Sequence, residues 1–164
     1  MTPLIILAAI AGVPVLLALF LRVSAIYLFL SVAAGSLLVT YIADDASLAL
    51  GMMITGQDTN LIAQLGLLFL PIILTIVFLR KTLPRTKLLL HLIPLLGTGL
   101  TIAVLALPYF DSSSQSQIFA NYYGDMFKDS QDVIVGATAI LILLLTWFTK
   151  KHKDDKKHKK KHKK

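Results

Sequence analysis

Apolar residues come in long blocks along this chain and do not alternate with polar ones. A helix needs about 20 apolar residues to cross the roughly 30 Å hydrocarbon core of a bilayer. Five uncharged blocks approach that length: residues 4–21, 23–43, 61–79, 88–107 and 133–149. Each is apolar around its whole circumference, which suits lipid or a protein core and not a water-facing surface. The pattern predicts an all-α, multi-pass membrane bundle of about five transmembrane helices, one domain over residues 1–149. A secretory signal would carry a basic stretch before the first block, and Met1, Thr2 and Pro3 supply none. A single helix through the first two blocks would be about 60 Å long, twice the membrane. A tight turn is therefore expected near residues 20–24, although no Gly or Pro marks it.

Two segments between the blocks carry patterns of their own. Residues 111–117, DSSSQSQ, are polar and of low complexity, which predicts a flexible connection. Next come Ile118, Phe119, Tyr122, Tyr123, Met126 and Phe127, spaced to form one face of a helix. Residues 118–127 are thus expected to form an amphipathic helix at the membrane interface, with Phe119, Tyr122, Tyr123, Met126 and Phe127 as its apolar face. A second short interfacial helix is expected after Asp45, which could cap it, with Leu48, Leu50, Met52 and Met53 on its apolar side.

Charge then orders the blocks. Under a five-helix path, Arg22, the four cations of residues 80–87 and the ten tail lysines share one side, fifteen of the sixteen basic residues. Lys128 alone lies on the other side, together with Asp44, Asp45, Asp58, Asp111, Asp125, Asp129 and Asp132. Lys and Arg accumulate on the cytoplasmic side of membrane proteins. The N-terminus is accordingly expected outside and the C-terminus in the cytoplasm. The net charge of +7 belongs to the tail, since residues 150–164 hold ten Lys against two Asp. Repulsion within that run predicts a disordered Lys/His-rich segment.

Candidate chemistry is sparse. There is no cysteine, which excludes disulfides, thiolate metal sites and cysteine nucleophiles. None of the signatures H-E-x-x-H, G-x-S-x-G, the phosphate-binding loop or the dinucleotide-binding glycine motif occurs. The expectation is no catalytic residues, no cofactor and no enzyme activity. The spanning blocks contain no Asp, Lys or Arg, which disfavours ion-coupled pumping. His91, one turn beyond Lys87, belongs near the cytoplasmic headgroups. Gly35, Gly97, Gly99 and Gly136 lie in small-residue patches that permit close helix approach. Pro71 and Pro94 interrupt two blocks, as helices lining a transport path can be interrupted.

The tail carries the clearest functional signal. Lys150, Lys151, Lys153, Lys156, Lys157, Lys159, Lys160, Lys161, Lys163 and Lys164 predict binding to anionic lipid headgroups or an acidic protein partner. No aromatic side chain accompanies them, which argues against sequence-specific nucleic-acid recognition. His152, His158 and His162 stand among too many cations to hold a metal ion.

Residues 15–110 resemble in outline the colicin V production family of small bacterial membrane proteins. The likeness lies in Arg22 between the first two blocks, Ala34–Gly35 within the second and the basic turn RKTLPRTK before the fourth. The chain departs from that family in lacking an Arg-Gly pair after the first block and in adding a fifth block and the lysine tail. The charged tail is also similar to that of phage holins, which usually have fewer helices. These likenesses imply a place in the bacterial cytoplasmic membrane. Two functions follow: a non-enzymatic subunit or scaffold of a membrane complex or homo-oligomer, or a transporter, pore or holin-like permeability factor.

Overall fold

The computed structural model describes residues 3–53, 59–83, 88–110, 112–119 and 122–161, and the regular structure among them is all helical. In order these are α1 (Pro3–Leu21), α2 (Ala25–Met53), α3 (Thr59–Phe78) and α4 (Leu88–Ala106). A single 3-10 turn (Leu107–Tyr109) leads to the short helices α5 (Ser112–Phe119) and α6 (Tyr122–Asp129), and α7 (Gln131–Lys161) follows. Three helical stretches, Ala25–Met52, Asn60–Phe78 and His91–Tyr109, are long and apolar enough to cross a membrane. The apolar stretches Ile5–Leu21 and Gln131–Trp147 are shorter.

The helices assemble around α4, which packs against α1, α2 and α7. Half of its span is buried, 50% against 22% for α3. Leu95 and Ile102 of α4 share one core with Val15 and Ala18 of α1, Leu28 and Val32 of α2, Ile72 and Ile76 of α3, and Ile142 of α7. The outside of the bundle is also apolar. Leu30, Leu37, Ile73, Ile93, Leu96, Ile140 and Leu143 are each more than half exposed. So broad an apolar surface would drive association in water; facing hydrocarbon it carries no such penalty.

Hydroxyl groups inside the helices are satisfied locally. Ser31, Ser36, Thr40, Thr98, Thr101 and Thr146 each donate to a carbonyl three or four residues earlier, at 2.6–3.0 Å. They therefore add no unpaired donor to the interior.

Three of the four singled-out glycines lie where helices touch. A β-carbon on Gly35 would sit 2.5 Å from the Leu68 carbonyl oxygen, so α2 and α3 approach at backbone distance there. On Gly97 it would meet Thr138 Oγ1 of α7 at 2.8 Å, and on Gly99 the Val15 Cγ2 of α1 at 2.6 Å. Gly136 is a correction: it faces open space, and the buried Thr138 makes the contact with α4 instead.

Three further departures have physical causes. No helix begins at Asp45. α2 continues for 29 residues with Asp44 and Asp45 exposed on its flank, because Ala, Leu and Ser around them offer no break. At 1.5 Å per residue α2 is about 43 Å long, more than the roughly 30 Å thickness of a hydrocarbon core. The serine-rich run is helical from Ser112; Gln115 Nε2 donates to the Phe110 carbonyl at 2.8 Å and ties its first turns to α4's end. The lysine run was expected to be disordered, yet the α7 backbone stays helical to Lys161. Lys propagates a helix well once a long apolar segment has nucleated it, and cations at a helix C-terminus are favoured by the macrodipole.

Gly35→Ala should lower bundle stability by about 1–3 kcal/mol, because the Leu68 carbonyl cannot yield as a side chain would. Gly136→Ala should be neutral or raise stability by up to about 1 kcal/mol. Thermal unfolding of the two variants in mild detergent checks this; equal losses would contradict the α2–α3 contact.

Candidate functional site

Among the described residues, Arg22, Arg80 and Lys81 gather at the end of the bundle where α1 and α3 finish and α2 and α4 begin. The α1 terminus is closed by two hydrogen bonds: Val23 N–H donates to the Ala18 carbonyl at 2.8 Å and Arg22 N–H to that of Leu19 at 3.3 Å. This pairing requires a left-handed residue after the helix, usually Gly. Here Arg22 occupies it, with φ of 55°. An L-residue with a side chain costs about 1–2 kcal/mol in that conformation. A search for Gly or Pro therefore misses the turn, although the expected chain reversal is present.

Lys81, just past α3, is left-handed as well, with φ of 61°. The two turns are laced together through the backbone. Lys81 N–H donates to the Leu21 carbonyl and Leu83 N–H to the Arg22 carbonyl, both at 2.9 Å. Thr82 Oγ1 accepts from the Ser24 N–H at 3.2 Å and donates to the Leu79 carbonyl at 3.0 Å. Val23, Ser24 and Leu83 are buried beneath. The arrangement satisfies chain-end carbonyls and fixes Arg22, Arg80 and Lys81 at one level of the bundle. Arg85 and Lys87 lie outside the described residues, as do His162, Lys163 and Lys164. The backbone of α7 carries the lysines from Lys150 to Lys161.

His91 lies in the first turn of α4 with its ring buried, 4% exposed. It therefore faces the bundle interior. Among the described residues no group of three His or Asp side chains could hold a metal ion.

The opposite end is built differently. Ile118, Phe119 and Phe127 pack with Leu7, Ala103 and Leu107 into a small cluster that seats α5 and α6 on α1 and α4. Lys128 Nζ lies 5.7 Å from the centre of the Phe119 ring. That contact holds the one basic residue of this end against an aromatic face. Met126 is exposed at 61%, Tyr122 and Tyr123 open α6, and Asp44, Asp45, Asp129 and Asp132 are exposed. The segment forms two helices, α5 and α6, where the spacing predicts one helix over residues 118–127; residues 120–121 between them lie outside the described residues. The sequence points to a turn near residues 20–24 but not to the hydrogen bonds that lace it to Lys81 and Leu83. Their only trace is the pair of basic residues, Arg22 and Lys81, each just after an apolar block.

No protein-family model matches the chain, and neither a curated protein nor a solved structure matches it. The outline likeness to colicin V production proteins and holins gains no support from this.

Thr82→Ala should destabilise the bundle by about 1–2 kcal/mol, because it leaves the Ser24 N–H and the Leu79 carbonyl without Oγ1. Thr82→Ser should recover most of the loss. Melting temperatures in detergent read the difference, and equal stability of both variants with the parent would show that the lacing contributes nothing.

Proposed function

We propose that this protein is a non-enzymatic subunit or scaffold of a membrane complex. It crosses the bilayer five times, with the N-terminus outside and the C-terminus in the cytoplasm, and its basic tail engages anionic lipid or an acidic partner. The observation that carries this is the segregation of charge: fifteen of sixteen cations belong to one end of the helical path. The apolar exterior supports a bilayer around the bundle. The two shorter apolar stretches, Ile5–Leu21 and Gln131–Trp147, can serve as spans if the bilayer thins slightly, at a cost of fractions of a kcal/mol per ångström. Helical continuation of α7 to Lys161 sets the lysines along an extension of about 18 Å past Thr149, within reach of headgroups. Each Lys near an anionic surface contributes about 1 kcal/mol.

Orientation is tested with single cysteines, which the native chain lacks. With an impermeant maleimide on intact cells, Ser113→Cys should label and Lys157→Cys should not; labelling of Lys157→Cys alone would reverse the topology. Tail binding is tested with residues 150–164 fused to a soluble fluorescent carrier. Binding to anionic vesicles should vanish near 1 M salt, where the Debye length falls to about 3 Å. Replacing five Lys by Ala should weaken it by several kcal/mol, at about 1 kcal/mol each. A carrier that ignores anionic vesicles at low salt would remove the lipid version of this role.

A further inference from the structure

Between α1 and α3 the bundle is open, because the two helices touch at few points compared with α2 and α3. At the basic end this seam holds a cleft of about 450 Å³ lined by Phe20, Leu21, Arg22, Arg80 and Lys81. No described carboxylate lines it. Arg22 and Lys81 are held there by the backbone bonds to Leu83 and Leu21. Three cations are thus gathered before any anion arrives. Further along the same seam lies a groove of about 430 Å³ lined only by apolar residues, among them Val13 and Leu17 of α1 and Ile73 and Ile76 of α3. Leu17 and Leu21 are one helical turn apart, so groove and cleft share a face of α1, and Ile76 lies in the last turn of α3 before the turn that carries Arg80 and Lys81. Phe20 and Phe78 stand 80% and 77% exposed beside the cations.

We propose that the α1–α3 seam binds one anionic phospholipid, its phosphate on Arg22, Arg80 and Lys81 and an acyl chain in the groove beyond. The chemistry is complementary at both ends. Arginine pairs bidentately with phosphate oxygens, and the groove presents only hydrocarbon. An acidic protein segment would match the cleft but not the groove. The site is separate from the tail, although it rests on the spanning orientation, which the maleimide labelling tests on its own.

The full chain is purified in mild detergent, given equal phosphatidylglycerol and phosphatidylcholine, and its retained lipid is counted by native mass spectrometry. The parent should keep one phosphatidylglycerol in preference. Combined Arg22→Gly, Arg80→Gln and Lys81→Gly should cut that preference by on the order of tenfold or more. Glycine suits both left-handed positions, so the turns should survive. Arg22→Lys with Arg80→Lys should retain part of the preference, through charge without the bidentate pairing, and Leu17→Trp, which fills the groove, should weaken retention of both lipids; these two decide the matter if the neutral variant misfolds. Neutralising the ten tail lysines should leave the retained lipid unchanged. The proposal is overturned if the neutral variant keeps its lipid, if tail neutralisation removes it, or if millimolar inorganic phosphate displaces it, which would mark a free-anion site.

Discussion

Where a chain reverses between two long apolar helices, its last carbonyls must find donors, and this molecule is organised by how it meets that demand. The carbonyls of Leu21 and Arg22 receive the N–H groups of Lys81 and Leu83 from a turn about sixty residues away. The ends of α1 and α3 and the start of α2 are thereby set at one level. The left-handed conformations of Arg22 and Lys81 follow from the same demand. Their strain, about 1–2 kcal/mol each, is offset by the hydrogen bonds that the Leu21 and Arg22 carbonyls accept. Cationic side chains at these two positions then stand at one end of the bundle as a consequence of backbone geometry.

From that end inwards, packing takes over. α4 is buried over a larger share of its span than α2 or α3, and Gly97 and Gly99 let α7 and α1 come close to it, while Gly35 does the same between α2 and α3. In lipid no hydrophobic force draws helices together, so close van der Waals approach has to supply the attraction. The loosely touching α1–α3 seam is the exception. A structure that packs its other interfaces through small residues leaves this one open, beside its cationic turns.

Much of the architecture is legible in the sequence because the signal is long-range and simple. Five apolar blocks become the apolar portions of α1, α2, α3, α4 and α7, and the turn at Arg22 appears where helix length demands it. What could not be read depends on contacts between distant residues. The lacing of Ser24 to Thr82 has no local pattern. Gly136 and Gly97 look alike in sequence, yet only Gly97 faces a neighbour, because helix rotation is set by packing. Helix ends were also elusive. Asp45 reads as a cap only if the preceding helix stops, and nothing in residues 43–53 stops it. The serine run reads as a loop until Gln115 finds the Phe110 carbonyl. The tail's helix shows nucleation from the apolar segment outweighing local charge repulsion in α7.

The central claim is that all five long helices, including the shorter apolar stretches of α1 and α7, lie in the bilayer around α4. Spin labels placed singly at Val13, Leu30, Ile73, Leu96 and Ile140, each on an outward-facing position, measure depth directly in reconstituted membranes through relaxation by oxygen and by a polar nickel chelate. All five should be far more accessible to oxygen than to the chelate, with Val13 and Ile140 as deep as Ile73. Chelate-dominated relaxation at Val13 or Ile140 would place that helix in water and contradict the five-span bundle.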